Sequence, residues 1–156
     1  MRALVQRVTR AQVTVDGEVV GSIRTGLLIY LGVAPLDTAE IADHLAQRLV
    51  RMRIFSDAQG KMNHCLLDRN GSALVVSQFT LFADNRRGHR PAFTDAGSPE
   101  LARELCRVFV AQLRLLGVAD VQAGQFGSHM AVESVNDGPV TIVATSAEVP
   151  WSADCG

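Results

Sequence analysis

The sequence predicts an α+β domain in which mostly antiparallel, barrel-like β-sheets pack with two main helices. Three observations carry that expectation. The first third alternates apolar and polar residues around an Asp16-Gly17 pair. Two stretches, opening near Asp37 and at Ser98, repeat apolar residues at helical spacing. The last third returns to short apolar runs broken by Gly, Asn, Asp and Pro. Hairpins of this kind, in place of βαβ units, favour a barrel-like or two-sheet arrangement over a doubly wound one.

Arg2–Thr9 reads as the first strand, and Gln12–Val15 and Glu18–Ile23 flank the Asp-Gly pair that a type I′ turn prefers. Leu27–Val33 is an almost unbroken apolar run between Gly26 and Pro35, the pattern of a strand covered on both faces, which periodicity alone does not separate from a buried helix. Asp37 with Glu40 reads as a capping box, and Ile41, Leu45, Leu49 and Met52 then recur on one helical face. Ser56–Lys61 has turn chemistry between short strands around Ile54 and Met62. Ala73–Phe82 reads as one strong strand that carries two hydroxyls and an amide in an apolar setting. After a polar loop over Asp84–Gly97, Ser98 as N-cap and Pro99 at the first helical position open the second helix, which Gly117 ends. Val118–Ala123, Met130–Val135 and Val140–Thr145 close the chain as strands, the last two joined through Asn136-Asp137-Gly138-Pro139.

With 156 residues, 47% hydrophobic and 20% charged, the chain suits one domain with its own core, expected over residues 1–149, with 150–156 a peripheral tail. No apolar run approaches the roughly 20 residues that span a bilayer. Arginines at positions 2, 7 and 10 run through the opening segment, unlike a signal peptide. Three widely spaced cysteines without a C-x-x-C pair argue against a disulfide framework and point to a reducing cytoplasm. At a net charge of −1, a nucleic-acid partner has to be held by a local patch.

The familiar catalytic signatures are absent. The four histidines lack ligand spacing, so no metal is expected; Cys106, beside Leu105 in the second helix, reads as core. No G-x-S-x-G elbow and no phosphate-binding glycine loop is present. Two polar segments remain. Ser77-Gln78-Phe79-Thr80-Leu81 is either an edge strand with one wetted face or the wall of a ligand site, since polar groups carried into a buried strand need partners. Asn136-Asp137-Gly138-Pro139 reads as a hairpin turn, yet Pro139 stands directly before a strand to which it cannot donate. An X-Pro bond is also where a cis peptide is cheap, and a cis Gly-Pro would turn two carbonyls to one side.

Together these segments resemble the D-aminoacyl-tRNA deacylase family of bacterial and eukaryotic type. The resemblance extends over M-R-A-L-V-Q-R-V-T-R-A-Q-V-T-V, R-I-F-S-D-A-Q-G-K-M-N, V-V-S-Q-F-T-L and G-P-V-T, in that order. It implies that family's fold and a homodimer that hydrolyses the ester between a D-amino acid, or glycine, and the terminal ribose of tRNA, with no cofactor and no membrane. It further implies that Gly138 and Pro139, in cis, enter the other subunit's pocket, hold the substrate ammonium with main-chain oxygens and leave no room for an L side chain. Ser77, Gln78, Phe79 and Thr80 would form the pocket wall near the scissile ester. Phe126 and Met130 match positions lining the adenine pocket, or are simply core, and Arg7 braces the Gly-Pro loop.

Thr80 is the tempting nucleophile, but no acid or base in the sequence is an evident partner, so positioning and backbone donors are expected to replace side-chain chemistry. Arg86, Arg87 and Arg90 are expected to contact tRNA phosphates; the alternative is a solvated loop. The rival function is a non-catalytic RNA-binding or synthetase-associated editing module.

Overall fold

The structure, a computed structural model, describes residues 1–86 and 89–146. Arg87 and the expected tail at 150–156 lie outside the described residues. The strands are β1 (Arg2–Val15), β2 (Glu18–Ile23), β3 (Gly26–Gly32), β4 (Phe55–Ser56), β5 (Met62–His64), β6 (Ser72–Ser77), β7 (Asp120–Ala123) and β8 (Ala131–Thr145). The helices are α1 (Ala39–Val50) and α2 (Pro99–Leu115). The main sheet runs β2-β1-β3-β6-β7, with β8 also on β1, and β4 and β5 form a small separate ribbon.

Asp16 and Gly17 turn the first hairpin with φ of 49° and 85°, the positive values that a type I′ turn demands. β1 then pairs antiparallel with β2, β3 and β8. The parallel pairs β3–β6 and β6–β7 are crossovers through α1 and α2, which the hairpin-only expectation did not include. The sheet's two ends curl together: a Cβ on Gly21 of β2 would lie 3.1 Å from the Ala123 carbonyl oxygen of β7.

Two apolar layers explain why β3 reads as continuous hydrophobe. Leu27, Ile29 and Leu31 face Leu45 and Leu49 of α1 and Phe109 and Leu113 of α2. Leu28 points to the opposite layer, inside the curl, with Val8, Val13, Leu74 and Val76. Fully burying each such side chain contributes about 1.5–3 kcal/mol. β1 serves both layers because it changes face midway. Val5 belongs to the helix side, whereas Ala11, Val13 and Val15 belong to the interior. The change of parity falls where Val8 pairs with Asn136 and Arg10 with Val135, leaving Thr9 as an extra residue, a β-bulge.

Both helix starts are capped, one of them differently from the expectation. Ser98 Oγ accepts from the Leu101 N–H, with Pro99 following, as read from the sequence. At α1 the cap is Thr38, whose hydroxyl accepts from Ile41. Asp37 is occupied instead by the Met1 ammonium at 2.5 Å and the Ala34 N–H at 2.6 Å, which the capping-box reading could not foresee. Among the described residues no helix is long and apolar enough to cross a membrane.

Candidate active site

β6 ends at Ser77, and the segment expected to continue as strand turns instead into a 3-10 turn over Phe79–Phe82. The last ladder bond of the pair is Gln78 N–H to the Leu31 carbonyl, 2.8 Å. Past that point the chain leaves the β3–β6 ladder: the Val33 carbonyl accepts from the Gly97 N–H at 2.8 Å, and Arg2 takes hold of the turn. Its Nη1 donates to the Leu81 carbonyl at 2.5 Å, and its guanidinium lies 4.8 Å from the Phe82 ring centroid. A 3-10 turn leaves its first N–H groups, here those of Phe79 and Thr80, without a carbonyl inside the turn.

Ser77, Gln78 and Phe79 line a cavity of about 590 Å³ together with Phe126 and Met130. Five residues singled out in the sequence therefore meet in one place. Thr80 is not among the lining residues: it is exposed, and its hydroxyl accepts a hydrogen bond from Gln78 Nε2. The alternation expected of a strand, with Gln78 and Thr80 on one face away from Ser77 and Phe79, is replaced by this turn.

Phe93 and His129 also line the cavity and were not singled out. Phe93 stacks edge-to-face on Phe79, with ring centroids 5.0 Å apart and planes at 69°. Its signal was a lone aromatic in a polar loop; His129 had only its adjacency to Met130. Cys106 lies on the α2 wall, where burial pushes its thiol up to about 11, so it is protonated near neutral pH. Among the described residues no group of His, Cys, Asp and Glu is arranged to hold a metal ion.

Gly138 and Pro139 do not line this cavity. They belong to an excursion within β8, not to a hairpin between two strands. Gln6 pairs with Thr141 and Val8 with Asn136, so Asp137, Gly138, Pro139 and Val140 stand opposite Arg7 alone. The Gly138–Pro139 peptide is cis, and both residues are exposed.

The base of the excursion is tied on both sides. Asn136 Oδ1 accepts from the Val140 N–H and Asn136 Nδ2 donates to Thr141 Oγ1, each at 2.8 Å. Arg7, only 7% exposed, sends Nε to the Asp137 carbonyl at 3.0 Å and Nη1 to the Ile54 carbonyl at 2.5 Å. Nε also lies 3.1 Å from the Asp137 carboxylate. Gly138 has φ of 140°, and a Cβ there would lie 2.9 Å from the Val140 nitrogen and 3.2 Å from Arg7 Nη2. Only glycine fits that position.

The arginine loop is exposed at Arg86 and Arg90. Arg86 is not a free cation: its Nε and Nη2 donate to the two Asp84 carboxylate oxygens at 2.8 and 2.9 Å. That fork holds the Asp84 carboxyl at about 2, well below the usual range.

The family model described as D-Tyr-tRNA(Tyr) deacylase matches residues 4–145. A curated D-aminoacyl-tRNA deacylase of Deinococcus radiodurans is 57% identical over 91% of this chain and 97% of its own length. One of Roseiflexus castenholzii is 56% identical over 94% of this chain and 93% of its own. Among solved structures, the c-Myc DNA Unwinding Element Binding Protein superposes with a TM-score of 0.88 at 38% identity, covering 97% of this chain and all of its own. A probable eukaryotic D-amino acid tRNA deacylase superposes at 0.82 with 16% identity, covering 92% of this chain and 97% of its own, a likeness of fold. The chain belongs to the D-Tyr-tRNA(Tyr) deacylase family.

Proposed function

We propose that this chain hydrolyses the ester that joins a D-amino acid, or glycine, to the terminal ribose of tRNA, releasing free amino acid and tRNA. The observation that carries the reading is the meeting of Ser77, Gln78 and Phe79 with Phe126 and Met130 in one cavity, in a chain whose near full-length relatives are named D-aminoacyl-tRNA deacylases. Phe126 and Met130 offer an apolar and aromatic surface suited to the flat terminal base. The end of β6 would carry the ester.

Ester hydrolysis adds water to the carbonyl carbon, passes negative charge to the carbonyl oxygen, and then expels the ribose hydroxyl. The N–H groups of Phe79 and Thr80 are suited to that developing oxyanion, and donors preoriented in this way are worth about 2.7–4 kcal/mol each. An aminoacyl ester is already labile, so orientation with such donors suffices without a side-chain nucleophile. The substrate's own vicinal hydroxyl would assist the proton transfers.

Selection between enantiomers is assigned to Gly138 and Pro139 of a second copy. Their exposure, the rigid ties to Arg7 and Asn136, and their absence from their own chain's cavity all favour delivery across a dimer. Main-chain oxygens there would hold the ammonium group and crowd an L side chain, while a D side chain or none is accepted.

The test is release of amino acid from D-, L- and glycyl-tRNA, with and without a chelator. D-amino acid and glycine are expected to be released, L retained, and the chelator to have no effect. Equal release of D and L would remove the selection role from the Gly-Pro excursion. Binding of tRNA without any release would favour the RNA-binding module instead.

A further inference from the structure

A second groove, about 690 Å³, runs between α2 and the β6–β7 side of the sheet. It shares Ser77, Cys106 and Phe126 with the cavity described above, so the two adjoin. Arg103, Arg107 and Arg114 line it, all exposed, and Glu104 is the one acidic residue on its wall. At 1.5 Å per residue they form a line of positive charge about 16 Å long along α2.

The three differ in how they are held. Arg103 lies 4.7 Å over the Phe126 ring, at the junction of the two spaces. Arg114 Nη2 donates to the Val121 carbonyl at 3.0 Å. Arg107 has no carboxylate within ion-pair distance among the described residues. Its charge is therefore open to a partner, unlike that of Arg86.

We propose that this groove holds the single-stranded 3′ nucleotides of tRNA immediately upstream of the terminal adenosine, with Arg107 and Arg103 on their phosphates. The inference rests on the deacylase reading, which puts the terminal nucleoside in the adjoining cavity. A strand leaving that cavity past Phe126 meets an aromatic ring and then a row of guanidinium groups. Single strands are held by that combination of stacking and backbone charge. A row of this length also suits successive phosphates better than one small anion.

The experiment compares a D-aminoacyl-tRNA with the same D-amino acid esterified to adenosine alone, which has no upstream phosphates. Arg107→Gln is expected to lower kcat/KM on the tRNA substrate about tenfold and to reduce the salt slope of tRNA binding by about 0.7. Hydrolysis of the adenosine ester should stay within about twofold of wild type, and Arg107→Lys should restore most of the tRNA activity, since a phosphate contact needs only charge. Equal losses on both substrates, or an unchanged salt slope, would overturn the groove assignment. A wild-type protein that hydrolyses neither ester refutes the deacylase reading; tRNA binding by Arg107→Gln then still decides whether the groove holds RNA.

Discussion

Thr80 sits beside the cavity with an exposed hydroxyl whose hydrogen-bond partner is the Gln78 amide. An amide cannot take its proton, and activation of a hydroxyl needs a base within reach. Thr80→Ala is therefore expected to keep kcat/KM within about tenfold of wild type, because a positioning contact is lost but no chemical step. A loss beyond about a thousandfold, in protein that still folds and binds tRNA, would restore the hydroxyl as nucleophile. The Asp84–Arg86 pair makes a second residue-scale prediction, with its own sign. Asp84 titrates at about 2 when folded, below its ordinary 3.8, so its contribution to stability is present above the unfolded value and is lost as pH falls through about 2. In Arg86→Gln the Asp84 carboxyl resonance should titrate nearer the ordinary carboxylate range, as NMR can follow directly. An unchanged midpoint would mean that the Arg86 fork does not hold it down. The same pair tempers Arg86 as a phosphate ligand, because a phosphate on that edge of the guanidinium competes with the Asp84 contacts already made.

At the scale of elements, what could be read from the sequence was whatever local chemistry decides. Asp16-Gly17, the double-sided run of β3, and the Ser98-Pro99 start with the Gly117 stop of α2 all follow from turn preference, burial and capping. The site segments depend on long-range contacts instead. Phe79, Leu81 and Phe82 look like strand hydrophobes, yet Phe79 is 57% exposed and the turn is held by Arg2 of a distant strand. Asn136–Pro139 has every mark of a hairpin, but β1 is long enough to pair with the chain on both sides of it. The excursion thus owes its shape to Arg7 as much as to its own sequence. Arg7→Met should fill similar volume while leaving the Ile54 and Asp137 carbonyls without this donor. The cost expected in denaturant unfolding is about 1–3 kcal/mol for each carbonyl that stays buried. Faster amide exchange at residues 138–142, with β3 unchanged, would mark the loss as local to the excursion. If exchange there stays as slow as in wild type, Arg7 is a core residue and not a brace.

At the scale of the molecule, a sheet curled on itself with helices on one side leaves β8 with much of its surface open, including Val135 and Val143. The excursion stands on this strand and its own chain's cavity is lined without it. Neither the parallel crossovers nor this separation is written locally in the sequence, because both arise from which distant strands pair. If each working site joins the cavity of one copy to the excursion of another, two different defects should complement each other. Gly138→Ala forces a Cβ to within 2.9 Å of the Val140 nitrogen at a φ of 140°, which damages the excursion alone. Ala102→Trp fills the cavity from α2 and leaves the excursion intact. Each variant, checked for a wild-type-like melting curve, is expected to be inactive. When they are denatured together and refolded as a mixture, half of the dimers carry one of each, and each of those has one site built from two sound parts. Activity should therefore return to about a quarter of the wild-type level, whereas samples refolded separately and then assayed together at once stay inactive. A mixture with no recovered activity, in which the mixed dimer is nevertheless detected by mass, would mean that cavity and excursion act within one chain.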